Sequence, residues 1–319
     1  MEKVRLSLHH IGKLLFAQTT ELLNPTSNRG LPPSLAASNP SVDYHCKGLD
    51  IATAAYVGEL GFLANPVTTH IQSAEMHNQA VNSLALVSAR MTVQSLDVLS
   101  LLIASYFYIL CQAVDLRAMQ AEFAQIVDGI INEEIETLFH QSSSSEPSLK
   151  VLVRSLCTRV RETFHGSLEV TTTMDVPLRM MTASKTSSAI FLDFLSAHPE
   201  ISLPFQHITA FQNTLVRRTA ASLEELRLAY FTLSRGPTPA SVWMGRTKAV
   251  YEFIRVTLGV RMHGLENYEQ FQHGIGMNGN IGQDVSKIYE PLSDVGTDTG
   301  KCRTGDDQGQ VDGSAWRHE

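Results

Sequence analysis

ANPVTTHIQSAEMHNQAVNSLALVSARMTVQSLDVLSLLIASYFYILCQAVD, residues 64–115, decides the architecture. Between Pro66 and Gly129 there is no Gly and no Pro, so no residue punctuates the backbone. Glu75, Asn78, Gln79 and Asn82 stand at i, i+3, i+4 and i+7, the spacing of one helical face. Leu96, Leu99, Ile103, Phe107, Leu110 and Val114 continue that spacing. The pattern predicts a central helix over Glu75–Asp115, roughly 60 Å long at 1.5 Å per residue. From Val98 onward it is apolar nearly all round, as at the centre of a large bundle. Polar groups carried into such a core must find partners, because each orphan costs about 1–3 kcal/mol.

The chain has 319 residues, 43% hydrophobic and 18% charged, enough to build a sizeable core. Its net charge of −7 argues against a nucleic-acid binder driven by phosphate contacts. Met1 is followed at once by EKVRLSLHHIGK, without the apolar core of a secretory signal. The best membrane candidate, Val98–Val114, is short of about 20 apolar residues and carries Ser100, Ser105 and Gln112, so it reads as a buried helix, not a span. Cys46, Cys111, Cys157 and Cys302 show no paired spacing, and free thiols in a large chain point to the cytosol. Pro25 and Pro40 block both Asn-x-Ser/Thr matches.

Glu2–Leu23 reads as a helix ended by Pro25. No capping residue precedes it, so the chain begins inside a periodic pattern. Asn24–Gly48 is a long Pro/Asn/Ser loop of the kind that is either functional or disordered. Leu49–Leu63 is an alanine-rich helix. Beyond Arg117 the texture changes: helix over Ala118–His140, a linker at Gln141–Ser148, an amphipathic basic helix over Leu149–Phe164, and a break at Thr171–Pro177. Helices follow at Ser187–Ala197, Phe205–Arg235 and Thr247–Leu258, the last two closed by Gly236-Pro237 and Gly259. No alternating run is long enough for a sheet, and from Ser293 the composition predicts a disordered tail. The fold expected is therefore all-α, with a tail from residue 293.

NRGLPPSLAASNPSVDYHCKGLDIATAAYVGELGFLANPVTTHIQSAEMHNQAVNSLALVSAR, together with EKVRLSLHHIGKLLFAQTTELLN before it and TKAVYEFIRVTLGVR and VSKIYEPL near the end, resembles the C-terminal portion of the fungal phenylalanine ammonia-lyases. These belong to the aromatic amino acid ammonia-lyase family. The resemblance is strong over Val4–Arg117, loose over Ala118–Ala240 and moderate over Ser241–Leu292. It implies long central helices in a homotetramer, with 118–240 as a helical insertion over the active site. It also implies that Met1 aligns with an internal position of the family, as in a truncated product, a fragment or a mis-started gene model. Family chemistry eliminates ammonia from L-phenylalanine or tyrosine to give a trans-cinnamate. Its electrophile is a methylidene-imidazolone (MIO) made from Ala-Ser-Gly, a tripeptide missing from this sequence. Nearest are Ala37-Ser38-Asn39, Ala183-Ser184-Lys185 and Ala240-Ser241-Val242. The catalytic tyrosine loop is not matched either, so the chain is expected to be inactive alone.

The resemblance assigns substrate-binding roles to Lys47 of the KG motif, Glu75 and Asn78 of SAExHNQ, and the adjacent Gln79. The residue types suit the chemistry. A carboxylate takes a proton from an amine, amides orient substrate without charge, and a lysine faces a carboxylate. Without the resemblance, the same stripe reads as a solvated helix face and Lys47 as a surface lysine. His70 and His77 lack HExxH spacing, so no metal is expected. Gly274–Gly279 fits GxGxxG by letter but follows no strand, so it reads as a flexible loop. The basic helix reads as a solvated face of the insertion, not a membrane-binding surface. The other functional class left open is a non-catalytic helical oligomerisation protein derived from the family.

Overall fold

The structure is a computed structural model that describes residues 1–44, 46–140, 147–201, 203–264 and 281–297. Its helices are α1 (Glu2–Leu23), α2 (Lys47–Leu63), α3 (Ala85–His140), α4 (Pro147–Val170), α5 (Val176–Ala197), α6 (Phe205–Phe231), α7 (Lys248–Glu252) and α8 (Ile281–Thr297). A π-helical turn over Phe253–Thr257 continues α7. The all-α expectation holds: among the described residues, the one β feature is an isolated bridge between Ala74 and Gln79.

The central helix is α3, 56 residues and roughly 84 Å long. It differs from the sequence expectation at both ends. It begins at Ala85, not near Glu75, where Ser83 Oγ accepts the Ala85 N–H at 3.3 Å. Residues 75–83 before it are all exposed, and a polar segment that buries no face lacks what stabilises most protein helices. At the other end α3 runs unbroken through Arg117 to His140, so the change of texture there marks new neighbours, not a backbone break. By length and composition α3 could cross a bilayer. Here α1, α2, α4, α6 and α8 all pack against it.

The buried face of α3 is also rotated from the predicted stripe, of which only Leu99 is fully buried. Ser95, Val98, Leu102, Ser105, Ile109, Gln112 and Leu116 alternate three- and four-residue steps and are all buried. The hydroxyls on this face bond back into the helix, Ser95 to the Met91 carbonyl at 2.7 Å and Ser105 to Leu101 at 2.9 Å. Gln112 takes both partners from one residue: its Nε2 donates to the His263 carbonyl at 2.8 Å, and its Oε1 accepts the His263 N–H at 3.3 Å.

Two apolar cores result. A small one holds Leu60, Leu63, Val98, Leu99 and Leu102 between α1, α2 and the start of α3. Gly12 lets α1 approach α2, since a Cβ there would lie 2.6 Å from Leu60 Cδ1. Arg5, fully buried on the same face, donates to the carbonyls of Leu63 (2.7 Å), Asn65 (3.1 Å) and Ser88 (3.0 Å) and to Ser88 Oγ (2.7 Å). It thereby satisfies carbonyls left over at the C-terminus of α2. The large core joins the rest of α3 to α4–α8.

The remaining boundaries shift modestly. Helix α5 begins at Val176, with Pro177 in its first turn, well before Ser187. Helix α6 stops at Phe231, and turns lead on to Gly236 at φ +79°. Helix α8 continues past Ser293 to Thr297 with Pro291 inside it, so the expected tail boundary falls within a helix. The Gly274–Gly279 motif, the serine run at 141–146 and residues 298–319 lie outside the described residues.

Candidate active-site segment

Lys47 opens α2 directly after a buried Cys46. The loop leading to it is not loose. Asp43 Oδ2 accepts from Ala37 N–H (2.9 Å), Ser38 N–H (3.0 Å) and Ser38 Oγ (2.8 Å). Cys46 N–H reaches the Ser34 carbonyl at 3.0 Å, and Lys47 N–H the Tyr44 carbonyl at 3.0 Å. Burial pushes the Cys46 thiol far above its ordinary range, so it stays a neutral thiol without nucleophilic character. The exposed Lys47 ammonium lies 5.2 Å from the centre of the Tyr44 ring, within cation–π range.

Glu75, Asn78 and Gln79 do not lie on a helix face. They occupy a tight turn closed by paired bonds between Ala74 and Gln79, N–H to carbonyl at 2.9 and 3.1 Å, with Asn78 N–H on the Glu75 carbonyl at 3.0 Å. Glu75, Met76 and His77 have φ of 50°, 52° and 70°. Three successive non-glycine residues in the left-handed region cost energy, and such strain collects at functional segments. Ser73 Oγ and His77 Nδ1 bridge the turn at 2.6 Å. The structure thus brings Glu75, Asn78 and Gln79 together, all exposed. Among the described residues no hydrogen bond or ion pair joins them to Lys47.

Polar groups at this density do not form a metal cluster among the described residues. The nearest tripeptides to Ala-Ser-Gly are committed elsewhere: Ser38 to Asp43, Ser184 to the Gln212 carbonyl at 3.2 Å, and Ser241 to Glu252 Oε1 at 2.8 Å. None is followed by glycine, so these residues do not fit an imidazolone precursor.

Several organising residues escaped the sequence reading. Asp115, buried in α3, accepts from Arg255 at 2.5 Å and from the Tyr251 hydroxyl. Asp284 of α8 takes His263 Nε2 at 2.5 Å and Lys287 Nζ at 2.6 Å. Arg227 of α6 donates to the Ser38 carbonyl at 3.1 Å and to Glu224 at 2.9 Å. The available signal was a charge standing at a core position of a periodic helix.

A family model for aromatic amino acid lyases matches residues 1–133, the part that holds Lys47 and the Glu75–Gln79 turn. Phenylalanine ammonia-lyase 2 of Pleurotus ostreatus is 54% identical over 303 residues, covering 92% of this chain and 40% of that protein. A phenylalanine ammonia-lyase of Agaricus bisporus is 76% identical over 123 residues, 39% of this chain and 87% of the relative. Crystal structures of phenylalanine ammonia-lyase from the yeast Rhodosporidium toruloides superpose with TM-scores of 0.82 and 0.80 at 40% identity, covering 92% of this chain and 43% of theirs. The chain thus spans about 40% of the length of most of the curated relatives it matches.

Proposed function

The chain belongs to the aromatic amino acid lyase family, and from that premise we propose that it supplies part of the active site of a phenylalanine ammonia-lyase, which converts L-phenylalanine to trans-cinnamate and ammonia. The observation that carries this reading is the placement of Glu75, Asn78 and Gln79 in one exposed, strained turn inside the matched residues 1–133. Glu75 is the group that takes or holds a proton of the substrate amine. Asn78 and Gln79 orient the substrate, and Lys47 faces its carboxylate. The four side chains stand open to solvent in the single chain, which suits a site closed by other subunits of a homotetramer. Residues 118–240 form the helical insertion over that site. A cytoplasmic location follows from the family reading.

The 319 residues contain no Ala-Ser-Gly. Binding groups alone do not lower the barrier to elimination. The purified chain therefore releases no cinnamate from phenylalanine. The test is a cinnamate absorbance assay on the purified chain, with and without a complete phenylalanine ammonia-lyase inactivated by a Glu-to-Ala change at the position matching Glu75. Silence alone and partial activity in the mixture support the proposal. Turnover by the chain alone refutes it. Co-assembly without any rescue favours a non-catalytic oligomerisation protein instead.

A further inference from the structure

A cavity of about 320 Å³ lies between the 28–38 loop, the middle of α3, and helices α4, α5 and α6. Neither Lys47 nor the Glu75–Gln79 turn lines it. We propose that it binds a small organic carboxylate with an apolar body, at a site separate from the segment described above.

Charge points to an anion. Arg29, Arg117, Arg179 and Arg227 line the cavity against a single carboxylate, Glu169. Two of these cations are held in an unusual way. Arg227 is 7% exposed, and Arg179 shares its surroundings closely enough to feel its charge. Burial, and then Arg227, pull the Arg179 guanidinium down to about 10. Arg179 donates to the Leu168 carbonyl at 2.8 Å, and no ion pair reaches it among the described residues. On both arginines the Nε–H is buried and meets no acceptor. Arg227 already meets Glu224 at 2.9 Å, but half-buried Arg179 has no carboxylate partner among the described residues, so an anion in the cavity would complete the set. A carboxylate can do so, because each guanidinium presents a fork that matches its two oxygens.

The other walls set the ligand's body. Leu116, Met119, Phe123, Leu168 and Leu223 give the cavity an apolar side, which an inorganic anion would leave in contact with nothing. The volume sits at the lower end of small-molecule pockets, roughly 300–1,000 Å³, which favours a single ring or short chain over a nucleotide.

The test titrates 3-phenylpropanoate into the purified 319-residue chain by isothermal titration calorimetry. Saturable one-to-one binding is expected, with affinity at least tenfold weaker for Arg179→Met and absent for Ala124→Phe, which fills the cavity. The neutral probe 3-phenylpropanamide should bind at least tenfold more weakly. Circular dichroism checks the fold of each variant. If Arg179→Met fails to fold, Ala124→Phe and the amide probe still decide. No saturable binding, equal affinity for acid and amide, full retention of binding in Ala124→Phe, or saturation by inorganic phosphate in place of the acid would each overturn the proposal. The outcome is independent of the cinnamate assay, because Arg179→Met and Ala124→Phe leave Lys47 and the Glu75–Gln79 turn untouched.

Discussion

Removing the Asp115 carboxylate should unfasten the C-terminal return from the central helix. Asp115 and Arg255 are both 1% exposed in their side chains and meet at 2.5 Å. The Tyr251 hydroxyl donates to the other carboxylate oxygen, and Arg255 also donates to the Val260 carbonyl at 3.1 Å. Burial alone would lower the affinity of Arg255 for its proton, but Asp115 reverses this and holds the guanidinium charged. In Asp115→Ala that charge loses its counter-ion, and its Nε already lacks an acceptor. Breaking a buried pair from one side costs roughly 3–5 kcal/mol. Tyr251→Phe removes one hydrogen bond to a charged acceptor, about 1.5–3 kcal/mol. Replacing both ions in Asp115→Leu/Arg255→Leu leaves neither charge stranded, so the double variant should lose less than the sum of the singles. Urea unfolding followed by far-UV circular dichroism measures the unsubstituted chain, Asp115→Ala, Tyr251→Phe, the singles Asp115→Leu and Arg255→Leu, and the double variant. With about 5–15 kcal/mol of total stability, the Asp115→Ala midpoint must fall visibly. A midpoint shift worth less than about 1 kcal/mol, or a double variant that loses the full sum, would falsify this account of the pair.

Gly12→Ala gains up to about 1 kcal/mol of helix propensity but drives a methyl into the buried Leu60, where overpacking costs roughly 1–3 kcal/mol; the net should be a loss, and a raised melting temperature would contradict the close approach of α1 and α2. Arg5→Lys should not rescue Arg5→Met in thermal melts, because a point charge cannot reach the carbonyls of Leu63, Asn65 and Ser88 together; full rescue would mean that charge alone matters. Burial pushes Asp284 up, but hydrogen bonds from His263 and Lys287 outweigh it and hold the carboxyl below its ordinary 3.8. Its contribution is therefore complete above 3.8 and disappears as pH falls through the lower folded value, so Asp284→Asn should blunt the acid transition seen by circular dichroism, and identical acid midpoints would argue against it.

Periodicity revealed what local forces decide. Helices α1 and α2 were legible because their apolar spacing and proline stops act within a few residues. The start of α3 was not, because a polar stretch with helical spacing forms a helix only where something packs on it. Residues 75–79 have the spacing of a helix face and the geometry of a turn. The roles proposed for them rest on the motif resemblance alone, since spacing placed them on the wrong element. The buried ion pairs were invisible for another reason. Asp115 and Arg255 are 140 residues apart, and Arg227 meets Ser38 across 189. No window of sequence contains both partners.

The 24–48 loop shows how those distant contacts matter. As a sequence it is a connector between two helices, and its length allowed either order or disorder. In the structure it is a buried layer: Leu31, Leu35, Ala36, Ala37 and Ser38 are all covered. Arg227 of α6 holds its Ser38 carbonyl, Asp175 at the start of α5 accepts Ser41 Oγ at 2.6 Å, and Arg117 and Gln120 of α3 hold the carbonyls of Asn28, Arg29 and Gly30. The same loop ends in the Asp43 bonds and the Cys46 contact that fix where α2 begins, and so where Lys47 stands. The position of a candidate site lysine in residues 1–133 therefore depends on arginine and aspartate side chains supplied from beyond residue 170. A buried backbone segment must have its polar groups satisfied, and here the partners come from the later helices. That requirement makes the two parts of the chain one structural unit despite their change in composition.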